Sequence, residues 1–429
     1  MTAPTDVIVA DAPAATATTT APRTAELPSL WRNWRFQLLW VGSSAGFLGL
    51  TITDFAYPLV VLAITGSPAM AALFGFIQTL FTVVAGMPAG ALVDRLDRRR
   101  VLMAVELSRS AASISVVAAW AMGHLTVAHL LVVAGVLGAT GPLGMSARML
   151  VIRAVVAPAQ LTKALTQDEV RTAVGGLAGP PIGGLLLAAS RALPFLVSSV
   201  TFVVSFLTAL IVRIPQPDAA ATPAGGGASS GGVLAGLREI WTNRVVRTTV
   251  SMISVINIGG NALFLAIVVL LAGQGASTRT IGIAVAGEAV GNLLGAGLVS
   301  RLHRAFAPGR LLIVVAAILT GAVALLAVPL GPWWVLGVLS VGMLGVPSIR
   351  VLLDVLVLRQ VPDEVRGRTL GAVMTVFTIG MPAGTIAGGL ALQFLGATTT
   401  ILITAGICAS SVLLGLSNRH LRRAVWPAS

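Results

Sequence analysis

The chain has 429 residues, of which 56% are hydrophobic and only 10% charged, with a mean hydropathy of +0.93. A water-soluble domain carries about 25% charged residues, so this composition excludes one: there is too little polar side chain to cover a water-facing surface. The net charge of +13 does not mark a nucleic-acid binder, because the arginines sit in loops between apolar blocks, and the single cysteine, Cys408, excludes an intrachain disulfide.

Residues 1–29 are rich in Ala, Thr and Pro. No basic segment leads into an apolar core, so they read as a disordered cytoplasmic tail and not as a signal peptide. Trp31, Trp34 and Trp40, with Arg32 and Arg35, suit an interfacial anchor. Twelve apolar runs follow, many near the ~20 residues that cross a bilayer. They predict spans at 36–64, 70–93, 101–121, 126–151, 168–189, 194–213, 246–272, 279–299, 310–329, 333–358, 369–389 and 393–416. The runs are continuous and do not alternate, which selects helices over a barrel. The expected class is an all-α membrane protein. Between spans six and seven, residues 214–245 form a linker domain that begins Gly/Ser-rich and leads into a segment, 233–247, that suits a short helix on the membrane surface. The expected domains are residues 30–213, residues 246–418 and a cytoplasmic tail at 419–429.

Charge sets the orientation. With both termini in the cytoplasm, 22 Lys and Arg fall on that side and two, Arg191 and Arg279, on the other. The remaining four, Arg109, Arg148, Arg171 and Arg350, lie in spans or at their ends. Such asymmetry predicts cytoplasmic termini and an even number of spans in a cell membrane.

The chain also repeats itself. Ala91-Leu92-Val93-Asp94-Arg95-Leu96-Asp97-Arg98, between spans two and three, matches Gly297-Leu298-Val299-Ser300-Arg301-Leu302-His303-Arg304 at five of eight positions. Gly179-Pro180-Pro181-Ile182-Gly183-Gly184 in span five is echoed by Gly384-Thr385-Ile386-Ala387-Gly388-Gly389, and Ser146-Ala147-Arg148 by Ser348-Ile349-Arg350. Six spans separate the partners, so the repeat is parallel: two six-helix bundles related by an axis along the membrane normal.

These features resemble the major facilitator superfamily. Residues 90–100 are similar to its Gly-x-Leu-x-Asp-Arg-x-x-Arg-Arg loop, and Gly175, Gly179, Pro180, Gly183 and Gly184 resemble the span-five motif of its exporter branches. Asp94 to Arg100, Pro58 to Thr65-Gly66-Ser67-Pro68 and Val361-Pro362-Asp363-Glu364-Val365-Arg366-Gly367-Arg368 look like the branch of enterobactin exporters and macrolide-efflux proteins. The sequence departs from that branch in span one, where Gly49 is followed by Leu50 and the acid is Asp54. In the second-half loop Ser300 stands at the place of Asp94. The resemblance implies twelve transmembrane helices in two pseudo-symmetric bundles. It also implies a cytoplasmic gate at Gly90, Asp94, Arg95 and Arg98, with Asp94 capping the start of span eleven near residues 367–371 and pairing with Arg148.

A charged side chain in hydrocarbon costs at least ~2.5–3.5 kcal/mol, so intramembrane polar groups should face a cavity or a partner. Asp54 with Tyr57, Asn257 with Asn261, and Glu288 with Asn292 are spaced to share helix faces near the middle of spans one, seven and eight. They are candidates for a central cavity, and an acid there that trades a proton between the two sides supplies what a proton-driven exporter needs. Glu106 with Arg109 and Arg350 with Asp354 have ion-pair spacing. The span-five glycines and proline allow close packing and bending.

No phosphate-binding Gly-x-x-x-x-Gly-Lys-Ser/Thr occurs and the histidines lack metal-ligand spacing, so an enzyme, a metal and a cofactor are not expected. The expected protein is a monomeric secondary transporter that exports a small organic molecule (drug, secondary metabolite or siderophore) by alternating access and proton antiport. An importer or uncoupled facilitator of the same fold, and a non-transporting scaffold or sensor, are the alternatives.

Overall fold

The computed structural model describes residues 29–212, 238, 241–242, 244–360 and 363–422, without the side chains of 261, 354–360, 363–371 and 374. Among these residues, twelve helices are long and apolar enough to cross a membrane. They are spans 1 to 12: Trp34–Thr65, Pro68–Arg95, Arg98–Ala121, Val127–Val155, Pro158–Ala189, Leu193–Ile211, Arg244–Gly273, Thr278–Ala305, Pro308–Leu325, Pro332–Leu353, Thr375–Leu395 and Ala397–Ser417. The tail 1–28 and most of the linker lie outside the described residues. Arg238, Trp241 and Thr242 are helical, and Trp241 is exposed.

Local chemistry starts the helices. Asn33, Ser67, Asp97, Thr126 and Ser277 are N-caps whose side chains accept from a backbone N–H two or three residues on. Pro68, Pro308 and Pro332 stand at first helical positions, where no N–H is needed. Several expected boundaries shift. Span 11 runs unbroken to Leu395, past the turn expected at 390–392, and ends at Gly396, whose positive φ of 80° with an extended ψ suits glycine. Span 10 is two helices, Pro332–Met343 and Val346–Gln360, and span 8 bends at Ala286.

Helix packing shows the repeat directly. Span 1 packs on spans 5 and 6, span 2 on span 4, and span 3 on spans 4 and 6; span 7 packs on spans 11 and 12, span 8 on span 10, and span 9 on spans 10 and 12. Adding six to each member of the first set gives the second. The two bundles meet along two seams, span 2 on span 11 and span 5 on span 8, which the same operation exchanges.

An even number of spans puts both chain ends on one side, the terminal face. Both seams are tight towards the opposite face. A methyl added at Gly184 would collide with the Thr278 carbonyl, one at Gly282 with the Pro180 carbonyl, and one at Gly389 with Ala72. Near the terminal face, a methyl added at Gly90 or Gly297 would meet nothing within 4 Å, and Met87, Leu92, Leu293 and Leu294 are exposed. The bundles are therefore closed together at the face away from the termini, and among the described side chains Gly90 and Gly297 meet no such obstacle near the terminal face.

Candidate functional site

Span 1 is central to its bundle, with spans 2, 4, 5 and 6 around it. Its glycines let it sit there. Gly46 and Gly49 lie against Ser205, Thr201 and Phe202 of span 6, and Thr51 Oγ1 donates to the Gly175 carbonyl of span 5 at 3.1 Å. With those sides filled, Asp54 projects into accessible space beside span 2, where Gln78 Nε2 donates to Oδ1 at 2.8 Å. Tyr57 does not share that space, contrary to expectation. It is fully buried between Phe74, stacked at 4.8 Å, and Phe195 at 4.6 Å. A ring of that size is stabilised more by aromatic packing than by a polar cavity.

Below Asp54 lies a buried ionic network. Arg109 Nη1 stands 3.6 Å from Glu106 Oε1, with both side chains almost fully buried, and Arg109 Nε donates to Thr140 Oγ1 at 3.1 Å. Arg171 donates through Nε to Asp168 at 2.8 Å and through Nη1 to the Ser43 carbonyl at 3.2 Å, with its guanidinium 4.9 Å from the Phe47 ring centre. Arg148 reaches the second Asp168 oxygen at 3.3 Å. This corrects the expected pairing of Arg148 with Asp94: a cation turned into the bundle requires an anion there, and Asp168 supplies it. Sequence reading missed Asp168 and Arg171 as a pair, although Asp-x-x-Arg on one helix was the signal.

The span-five motif divides between two neighbours. Gly175, Gly179 and Gly183 face Phe47, Thr51 and Phe55 of span 1, whereas Gly184 and the Pro180 carbonyl face span 8. In the second bundle, Glu288 is exposed, begins the second half of span 8, and has no hydrogen-bond partner among the described side chains. Asn292 Nδ2 donates to the Glu288 carbonyl at 3.1 Å. Glu288, Asn292, Ala296 and Ser300 follow one another at intervals of four, so they form one stripe, next to the Gly287, Gly291 and Gly295 seam against span 10. Asn257 is half-buried on span 7. The side chains of Asn261 and Asp354 lie outside the described residues, and Arg350 is exposed.

At the terminal face Asp94 and Arg95 are exposed. Asp94 makes no hydrogen bond or ion pair to the described side chains, and its expected partner at 367–371 lies outside them. Asp97 caps span 3 through Arg99 N at 2.8 Å, and Arg98 opens that helix. The Arg99 side chain donates to the carbonyls of Ala209, at 3.0 Å, and Leu210, closing the end of span 6.

The family model that describes the Major Facilitator Superfamily matches residues 39–384. The chain belongs to the major facilitator superfamily. It is 28% identical over 377 residues to the multidrug efflux pump Tap of Mycolicibacterium fortuitum, covering 85% of this chain and 90% of that one. It is 26% identical over 193 residues, 43% of this chain and 47% of that one, to macrolide efflux protein A of Streptococcus pyogenes. Among solved structures it matches an inward-facing bacterial homologue of the lysosomal transporter Spinster with a TM-score of 0.71 at 14% identity, covering 94% of this chain and 100% of that one. An inward-facing bacterial homologue of the iron transporter ferroportin matches with a TM-score of 0.70 at 16% identity, covering 91% and 99%. Identities this low speak to the fold alone. The superfamily member described here is a multi-pass membrane transporter of a small-molecule substrate and not an enzyme.

Proposed function

We propose that this transporter exports a drug-like organic molecule in exchange for protons, by alternating access of a central cavity between the two bundles. The observation that carries the reading is Asp54. It is a carboxylate in accessible space at the core of the first bundle, with one neutral hydrogen-bond partner, Gln78. Behind it, Glu106 and Asp168 face Arg109, Arg148 and Arg171. These six side chains balance only while Asp54 is ionised. A proton on Asp54 leaves one positive charge in excess, which disfavours a cationic substrate at the same place, and release of the proton restores the site for one. Proton and substrate then compete for one carboxylate, which is the elementary requirement of antiport.

Glu288 and Asn292 extend the polar lining from the second bundle, on the side of span 8 turned away from Leu293 and Leu294. The cost of a carboxylate in lipid supports this placement. The arginine excess supports a cytoplasmic terminal face, and with the seams tight at the opposite face the proposed cavity loads from the cytoplasm. Export, and a drug or macrolide-like substrate, are supported by the likeness to the Tap and macrolide efflux proteins.

The test is transport in proteoliposomes with a panel of labelled drugs, macrolides included, under an imposed pH gradient. Uphill transport that stops when nigericin collapses the gradient is expected. Uphill transport that persists without the gradient would refute antiport. Reporter fusions at both termini should read as cytoplasmic.

A further inference from the structure

Two hydrogen bonds cross between the bundles at the face away from the termini. Gln393, near the end of span 11, accepts through Oε1 from Ser67 Oγ at 2.8 Å and from the Ala69 backbone N–H at 3.4 Å. Ser67 is itself the N-cap of span 2 and accepts from Met70 N at 3.3 Å. The first N–H groups of a helix have no partner within it. Span 2 is thus capped twice, by its own serine and by a side chain of the opposite bundle.

The contact continues a packed stripe. One turn below Gln393, Gly389 lies against Ala72; two turns below, Thr385 Cγ2 would stand 3.0 Å from a methyl added at Gly75. Thr385, Gly389 and Gln393 share one face of span 11. The symmetry-related seam has the packing without the polar contact. Gly184 is the echo of Gly389, and four residues on stands Ala188, whose methyl accepts nothing. Ser277, the N-cap of span 8, is instead 2.8 Å from Thr280 Oγ1 of its own helix.

We propose that Gln393 is a positioning residue of the transport cycle: a clasp across the span 2–span 11 seam that holds the face away from the termini closed and releases when that face opens. This rests on the alternating-access reading. The clasp is exposed, so water replaces it on opening. A neutral hydrogen bond of this kind biases an equilibrium by roughly two- to tenfold, enough to set the resting state and weak enough to be undone by substrate or a proton.

The test uses the full chain with Cys408→Ala, which leaves no native thiol. Spin labels go on cysteines at Ile64 and Leu395, exposed positions on span 1 and span 11 at that face. Pulsed dipolar spectroscopy then reads the populations of short (closed) and long (open) distances. Q393M, which keeps the length and removes the acceptor, should raise the long-to-short ratio about fivefold. Q393E, which keeps the acceptor and adds a negative charge at the N-terminus of span 2, should not raise it. A purely structural glutamine would lower thermal stability in Q393M and leave the distance ratio unmoved. An unchanged ratio in Q393M, or a raised one in Q393E, overturns the clasp while two distances in the parent still support alternation. Should Q393M fail to fold, Q393L, which also removes the acceptor, takes its place with the same two outcomes. A single distance in the parent at every pH removes both ideas.

Discussion

Aligned on their first helical residues, Arg98 of span 3 and Pro308 of span 9, the two bundles put different chemistry at the same depth. Glu106 and Arg109 in the first correspond to Ala316 and Leu319 in the second, all four buried. Through the glycine echo of spans 5 and 11, Asp168 and Arg171 correspond to Val373 and Val376. Val373 is fully buried in an apolar cluster against which Val376 packs. One packing plan therefore tolerates either an ionic or an apolar interior. Buried ion pairs seldom stabilise a fold more than hydrophobic residues of equal volume, so stability alone does not account for the network. On the proposed reading it holds the electrostatic balance around Asp54, while the second bundle, with divided spans 8 and 10, supplies the more pliable wall.

The largest expected effect breaks the ionic side of this comparison. Arg171→Met leaves Asp168 with Arg148 alone and removes the donor to the Ser43 carbonyl, and should lower the unfolding free energy by about 3 kcal/mol, seen as a lower melting temperature in detergent. Val376→Met at the corresponding, half-buried place adds volume and should cost only about 1 kcal/mol. Equal losses would dissolve the distinction between the bundles. Next, Thr140→Val removes the hydrogen bond to Arg109 and should cost about 1.5–3 kcal/mol; no loss would mean that Glu106 alone holds that arginine.

The seams sharpen the comparison further. Gly184→Ala and Gly389→Ala should each cost about 1–3 kcal/mol by overpacking. The obstacle at Gly389 is the Ala72 methyl, so adding Ala72→Gly should recover part of that loss. At Gly184 it is the Thr278 backbone carbonyl, and Thr278→Gly should recover nothing. The smallest effect is expected of Gly297→Ala near the terminal face, which meets open space and should be neutral or stabilise by up to about 1 kcal/mol.

Spans and repeat were legible because each follows from composition along a line: apolar length, loop arginines and recurring Gly-Pro strings. Contacts across helices were less so. Asp54 and Tyr57, three residues apart, share a helix face by spacing, yet one meets Gln78 in open space and the other is enclosed by two phenylalanines. Spacing fixes direction within a helix and says nothing of what stands opposite. Arg148 was given Asp94 as its partner by resemblance, and the bundle gives it Asp168. The break in span 10 at Leu344 and Gly345 did carry a signal that the sequence reading passed over: Pro347 lacks an N–H and crowds the turn before it. Gln393 carries no sequence signal at all, since a glutamine at the end of an apolar run reads as a surface residue until Ser67 is seen beside it.

The central claim is that one carboxylate links proton and substrate, and Asp54→Asn in proteoliposomes tests it most directly. Exchange of labelled for unlabelled substrate across equal pH needs only the rocking motion, whereas accumulation against a gradient needs the proton site as well. The variant should keep exchange within about twofold of the parent and lose gradient-driven accumulation. Accumulation that survives in Asp54→Asn and still follows the pH gradient would place the proton elsewhere and contradict the account.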